Sequence, residues 1–339
     1  MLKDILQICM NNETLTSVQA EQAMNEIMIG NATPSQIASL LTILRFRGET
    51  VDEMIGFVKA MRAHSVRIKT DGLNVIDTCG TGGDSLGTFN ISTATAIVLS
   101  GLGVPVAKHG NRAVSSKSGS ADVLEKLAIP IQHSVDDATK FLNEHRLCFL
   151  FAPLYHQSMK HAVVPRKEIG FRTIFNLLGP MTNPAQAKRQ LIGVYDFDFA
   201  QKMADALMVI GTEKALFVTG REGLDELSIT MESDIIEVEG NKKRSYTISP
   251  EDVGLKRGNL RDIQVDSPAE SAKLIISILK GRANESATGI VALNAGAALY
   301  VYNHVDSIKA GVEYVQSALK SGELFEHYHS LKKGAMIDA

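Results

Sequence analysis

The chain has 339 residues, 45% of them hydrophobic and 22% charged, with a formal net charge of −3. That length admits two domains, and the charge balance excludes a molecule built as a polyanion binder, so any phosphate site has to be local. The absence of tryptophan and of aromatic-rich basic stretches argues against a base-stacking surface, so no nucleic acid is expected as partner. Cys9, Cys79 and Cys148 show neither metal-ligand spacing nor a disulfide framework, which predicts a reducing cytoplasm. No apolar run reaches transmembrane length and the N-terminus lacks a secretory core, so neither membrane insertion nor export is expected.

The first 65 or so residues read as short helices. Three capping boxes follow one another: Thr16 with Gln19, Thr33 with Gln36 around Pro34, and Thr50 with Glu53. Gly30 and Gly48 read as C-terminal stops. Ile37, Leu40, Leu41 and Leu44 form one apolar helix face. So small a bundle cannot bury all such faces alone and must pack on the rest of the chain or on another subunit. From about residue 73 apolar runs alternate with helical stretches. Strands are expected over 74–77, 104–107, 147–151, 189–195, 214–219, 235–239 and 246–248, and helices over 94–99, 121–127, 136–143, 199–210 and 269–279. Such alternation predicts an α/β fold with a mainly parallel sheet. A helical piece at 168–178 interrupts it.

Two glycine- and serine-rich junctions carry the chemical signal. One holds Gly80-Thr-Gly-Gly-Asp84 followed by Asn90-Ile-Ser-Thr93; the other holds Lys108-His-Gly-Asn-Arg112 followed by Ser115-Ser-Lys-Ser-Gly-Ser120. Each joins an apolar run to a helix, where converging backbone N–H groups and a helix N-terminus form an anion cradle. Neither has the spacing of a dinucleotide fingerprint or a P-loop. Taken singly, a glycine cluster after a strand is as often a tight turn; the pair suggests a ligand with two phosphate-bearing ends. Asn90, Ser92 and Thr93 also suit simple helix capping, which uses the same helix end. Lys108 and Arg112 offer positive charge to a phosphate, against the alternative of a solvated basic loop. Asp225-Glu226 follows the strand expected at 214–219, where ligands collect in open α/β sheets; a lone Asp-Glu pair is more often plain surface charge, but adjacent carboxylates there also suit a magnesium ion shared with phosphates.

Together these segments, with Arg166, Arg172-Thr-Ile-Phe-Asn-Leu-Leu-Gly-Pro180 and Gly223-Leu-Asp-Glu226, resemble the anthranilate phosphoribosyltransferase family over nearly the whole chain, in order. The resemblance implies a small N-terminal helical domain, residues 1–70 joined by a returning segment at about 168–188, and a larger α/β domain, 71–167 and 189–339, with a mostly parallel central sheet. It implies an active-site cleft between them and a homodimer formed through the helical domain. The implied reaction moves phosphoribosyl from phosphoribosyl pyrophosphate to the amino group of anthranilate, in tryptophan biosynthesis. The resemblance assigns donor contacts to Gly80, Gly83, Asp84, Thr88, Asn90, Ile91, Ser92, Thr93, Lys108, His109, Gly110, Asn111, Arg112, Ala113, Val114, Ser115, Ser116 and Ser120. It assigns anthranilate to Gly80, Asn111 and Arg166, and magnesium, two ions per chain, to Ser92, Asp225 and Glu226. No residue is expected as a general acid or base. The alternatives are a pyrimidine nucleoside phosphorylase-like enzyme and a non-catalytic nucleic-acid-binding relative. Asp225-Glu226, Arg166 and the acidic balance count against them.

Overall fold

The structure, a computed structural model, describes residues 1–113, 118–132 and 134–333. It opens with four helices, α1 (Leu2–Met10), α2 (Ser17–Met28), α3 (Pro34–Arg47) and α4 (Val51–Ala63). All three capping boxes form, on Thr16, Thr33 and Thr50. Gly48 (φ 87°) caps α3, and Gly30 (φ 80°) lies just beyond α2. α2 packs on α4 so closely that a Cβ on Gly56 would lie 2.2 Å from the Ser17 carbonyl oxygen. Glu53 is the polar hub of this layer. Its buried carboxylate accepts from the backbone N–H groups of Leu15 (3.0 Å) and Thr50 (2.9 Å) and pairs with Arg47.

The α/β part follows as β1 (Ile76–Gly80), α5 (Ile91–Gly101), β2 (Val106–Gly110), α6 (Ser120–Lys126), α7 (Val135–His145) and β3 (Leu147–Phe151). The chain then runs through α8 (Ala152–Tyr155), α9 (Lys160–Ile169) and α10 (Ile174–Leu178) before β4 (Arg189–Gly193), α11 (Phe197–Ile210), β5 (Lys214–Gly220), β6 (Ser233–Glu239) and β7 (Lys242–Ile248). It ends in α12 (Pro268–Leu279), α13 (Glu285–Tyr302), α14 (Ile308–Ser321) and α15 (Glu323–Lys333). The sheet order is β3-β2-β1-β4-β5-β6-β7; the first five strands are parallel, and β6 and β7 pair antiparallel at one edge. The fold is therefore a helical bundle beside a mostly parallel α/β sheet. β1 is flanked by β2 and β4, so successive connections leave it in opposite directions and open a crevice at the strand ends.

Side chains alternate along each strand and feed two main cores, with a smaller third one where Ala107, Cys148 and Leu150 face α7 and α8. Leu191, Leu216, Val218 and Ile235 face α5, α6 and α12 to α15, while Ile192, Phe217, Ile236 and Val238 face α11 and the N-terminal helices. The bundle thus shares its core with one face of the sheet, with α11 packed on α4. The helical piece at 168–178 comprises the end of α9, a turn at Gly170 (φ 70°) and α10. α9 packs on α2 and α3, and α10 on α3 and α4.

Strand bounds shift, and α13 is an unexpected helix. The strands expected at 74–77 and 104–107 continue through Gly80 and Gly110, because parallel pairing extends to Gly80↔Gly193 and Gly110↔Phe151. β7 starts four residues earlier than expected, at Lys242; its exposed basic beginning lacks an apolar signal and suits an edge strand. α13 is buried nearly all round and shows no amphipathic period, so sequence periodicity did not locate it.

Replacing Glu53 by Ala strands two buried N–H groups and Arg47, and is expected to cost about 3 kcal/mol or more. Urea unfolding measures this; a loss under about 1 kcal/mol would refute the role of Glu53 as hub.

Candidate active site

The site forms where β1 and β4 end. Gly80 and Gly193 stand opposite each other there, and Asp225 lies across both. A Cβ on Gly80 would lie 2.4 Å from Asp225 Oδ2, and one on Gly193 would lie 1.7 Å from the Asp225 carbonyl oxygen. Glycine is needed here for close approach. The loop beyond β1 turns through Gly82 (φ 65°) and Gly83 (φ 102°), and the Gly82 N–H donates to Asp225 Oδ2 at 2.7 Å.

Three carboxylates gather at this point. Asp84 hydrogen-bonds Asp225 and accepts from the Leu86 N–H at 3.2 Å, while the Ser92 N–H at the start of α5 hydrogen-bonds Glu226. Burial, followed by the charge of Asp84, pushes Asp225 up to about 7. Burial, followed by the charge of Asp225, pushes Glu226 well above the carboxylate range. Lys108 is 2% exposed and lies beneath them, its Nζ donating to the Thr78 carbonyl and to Ser92 Oγ (3.1 Å). Burial lowers its affinity for a proton, and the charges of Asp77, Cys79, Glu226 and Asp225 oppose that. The Lys108 ammonium below and the Arg172 guanidinium near Asp84 face three carboxylates, which leaves the pocket short of positive charge and fits a divalent cation. Among the described residues no group of three or more His, Cys, Asp or Glu side chains is placed to hold a metal alone. Magnesium shared with phosphate oxygens meets that condition, since it takes one or two carboxylates and completes its shell elsewhere.

The remaining donor candidates surround this cluster. Asn90 caps α5, its Oδ1 accepting from the Thr93 N–H at 3.1 Å and from the Thr93 hydroxyl. Ile91 and Thr93 bury their side chains, so what they offer a ligand is the backbone at a helix N-terminus. Thr88 pairs with Gln264 in an isolated bridge. Asn90 Nδ2 donates to the Ser118 carbonyl at 3.5 Å, bringing the two glycine junctions together. Gly110 ends β2, where a Cβ would lie 2.3 Å from Ser120 Oγ; that hydroxyl donates to the Asn111 carbonyl at 3.2 Å. The Arg112 guanidinium is paired with Glu125 (2.7 Å) and Asp122 (3.0 Å), and the Ala113 N–H donates to Asp122 Oδ2 at 3.0 Å. Val114, Ser115 and Ser116 lie outside the described residues.

Arg166 sits on α9, with its guanidinium carbon 5.1 Å from the centroid of the Phe175 ring. Burial pulls its pKa down, and no hydrogen bond or ion pair meets it among the described residues. Such a cation suits an anionic ligand.

Several neighbours carry no recognisable sequence signal. Asp77 is fully buried and accepts from the His109 N–H (3.1 Å) and Asn183 Nδ2 (2.7 Å); the same Asn183 group donates to the Ala107 carbonyl at 2.8 Å. His109 Nδ1 lies 3.1 Å from the Gly179 carbonyl, and its ring centroid is 5.1 Å from that of His156. Burial pushes His109 down to about 3, with His156 adding to the effect, and burial pushes His156 to about 4. Isolated letters in sequence cannot show these contacts, which exist only once α8 to α10 fold back over β2.

Residues 3–65 match the "Glycosyl transferase family, helical bundle domain" and residues 72–325 the "Glycosyl transferase family, a/b domain". The chain is 62% identical to the anthranilate phosphoribosyltransferase of Halalkalibacterium halodurans, covering 98% of this chain and 97% of that protein. It is 51% identical to that of Bacillus subtilis, over 97% of each. Among solved structures, anthranilate phosphoribosyltransferase from Thermus thermophilus superposes with a TM-score of 0.91 at 36% identity, over 98% of this chain and 99% of that one. The Saccharomyces cerevisiae protein, solved in complex with PRPP and Mg, shares the fold at 24% identity, with a TM-score of 0.91 over 99% of this chain and 98% of that one.

The two low-pKa histidines set a pH dependence of stability. Folding holds both neutral, whereas the unfolded chain takes up protons below about 6.5, so stability falls as pH drops from about 6.5 toward 4. His109→Asn or His156→Asn should each flatten this slope by up to about 1.4 kcal/mol per pH unit. Urea unfolding at pH 6.5, 5.5 and 4.5 reads the slope; an unchanged slope in both variants would contradict the assignment.

Proposed function

The chain belongs to the anthranilate phosphoribosyltransferases of the glycosyl transferase family, and from that membership we propose how its cleft works. The enzyme transfers the phosphoribosyl group of phosphoribosyl pyrophosphate to the amino group of anthranilate, yielding N-(5-phosphoribosyl)anthranilate and pyrophosphate in tryptophan biosynthesis. The observation that carries the site assignment is the acidic cluster seated on Gly80 and Gly193 beside two anion cradles.

In this reading the two junctions hold the two phosphate-bearing ends of the donor. Backbone N–H groups of the 80–84 loop and of the α5 N-terminus face phosphate oxygens, and α6 presents a second helix start. Gly80, Gly83, Asp84, Thr88, Asn90 to Thr93, Gly110 to Ala113 and Ser120 line the donor, with Lys108 and His109 buried behind them. Asp225, Glu226 and Ser92 would hold the magnesium, for which two ions are proposed. Magnesium supplies neutralising charge to the departing pyrophosphate. Lys108 acts from below, orienting Ser92 and offsetting Glu226. Arg166 faces the anthranilate carboxylate, with Asn111 and Gly80 alongside, and so aims the amine at C1 of the sugar.

The C1–O bond breaks ahead of attack, the amine nitrogen forms the new C1–N bond, and that nitrogen then loses a proton. The aryl amine is neutral at pH 7, so no side chain has to create the nucleophile. Catalysis rests on positioning and on charge stabilisation. A homodimer through the helical layer fits its outward apolar residues, among them Phe46 at 93% exposure, Met10, Val163 and Val164. Three free, buried cysteines suit the cytoplasm.

Anthranilate fluorescence should fall when protein, donor and magnesium are mixed, and should hold steady when chelator is added or donor is left out. Arg166→Ala is expected to raise the anthranilate KM about 30-fold or more, with donor KM and thermal stability little changed. An unchanged anthranilate KM would remove Arg166 from the acceptor site, and no fluorescence loss from the folded wild type would overturn the reaction.

A further inference from the structure

Arg172 lowers the charge cost of Asp84 and also touches the loop before it. It lies between α9 and α10, just before Thr173, whose N–H donates to Asn176 Oδ1 at 3.1 Å at the start of α10. These two helices pack on α2, α3 and α4, so Arg172 is delivered from the helical layer. Its guanidinium reaches the other side of the cleft. Arg172 Nη1 donates to the Gly82 carbonyl at 3.2 Å, and its guanidinium carbon lies 5.2 Å from the ring centroid of Tyr195, just past β4. The guanidinium occupies the space a side chain at position 83 would need, since a Cβ on Gly83 would lie 1.0 Å from Nη1.

Gly82 is therefore held from both sides: Asp225 takes its N–H, and its carbonyl accepts from Arg172 on the helical side as well as from the hydroxyl of its neighbour Thr81 at 3.2 Å. The loop needs such restraint because Gly82 and Gly83 both have positive φ and no side chain to limit their rotation. In a trans peptide the carbonyl and the following N–H point opposite ways. Fixing the Gly82 carbonyl on Arg172 thus turns the Gly83 N–H away from the guanidinium.

We infer that Arg172, backed by Tyr195, is a positioning residue that locks the Gly82–Gly83 peptide with its N–H toward the donor's phosphates, so that the helical layer sets donor affinity from across the cleft. The inference rests on the donor placement above. It explains why glycine stands at position 83, where the backbone must yield to an arginine as well as to a phosphate. It also separates two arginines of one segment: Arg166 serves the acceptor and Arg172 the donor.

The test measures KM for each substrate and, by calorimetry, the dissociation constant of phosphoribosyl pyrophosphate with magnesium. Wild type is compared with Arg172→Gln, Arg172→Lys, Tyr195→Leu and the double variant Arg172→Gln/Tyr195→Leu. Arg172→Gln should weaken donor binding and raise donor KM about tenfold, with anthranilate KM changed less than about twofold. Arg172→Lys should recover part of the loss, because the charge remains but the planar fork does not. Tyr195→Leu should show the same donor-only pattern at smaller size, which keeps the test open if Arg172→Gln folds poorly. The double variant should be no worse than Arg172→Gln alone, because both changes break one contact. Unchanged donor constants, an equal rise in both KM values, or additive losses would each overturn the inference. Failure of the wild type to bind the donor would instead count against the donor placement.

Discussion

Burying like charges at the ends of parallel strands is the constraint from which the rest of this molecule follows. Asp225 and Glu226 sit half-buried next to Asp84, with Lys108 beneath them and the Arg172 guanidinium acting on Asp84 to offset part of the charge. Such an arrangement is unfavourable for folding and persists where something else over-determines it. Here two glycines let the 225 backbone rest directly on the sheet, and the Gly82 and Ser92 N–H groups bind the carboxylates. In the proposed function the excess negative charge attracts a cation, and the cation makes room for a polyphosphate that the same carboxylates would otherwise repel.

A second imbalance, of opposite sign, lies on the helical side. Arg166 is half-buried without a counter-ion among the described residues, in a segment that returns to pack on the N-terminal helices. The cleft therefore has an acidic floor on the α/β side and a cationic wall on the helical side. A donor that brings its own metal and an acceptor that carries a carboxylate satisfy both. The shared core behind α11 holds the two sides in register.

Much of this arrangement was legible in the sequence because it is local. The three capping boxes, the glycine loops and the adjacent Asp225-Glu226 are all short-range patterns with a physical meaning that survives folding. What was not legible is long-range. Lys108 could be read as a positive charge beside a loop, but not as a buried ammonium below the carboxylates. Arg112 could be read as a phosphate fork, and the structure ties it to Glu125 and Asp122. Asp77, Asn183 and His156 form contacts between segments far apart in the chain. Strand ends were misplaced for a related reason: Gly80 and Gly110 look like turn residues, yet each has a parallel partner across the sheet.

The central claim is that the carboxylates of Asp225 and Glu226 repel the donor by themselves and bind it only through magnesium. Calorimetric titration of phosphoribosyl pyrophosphate into wild type and into Asp225→Asn/Glu226→Gln, with and without magnesium, tests it most directly. The account predicts that magnesium tightens donor binding about tenfold or more in the wild type. In the double variant it predicts affinity indifferent to magnesium and, without the metal, no weaker than wild type. A double variant that still needs magnesium as strongly as the wild type would contradict it.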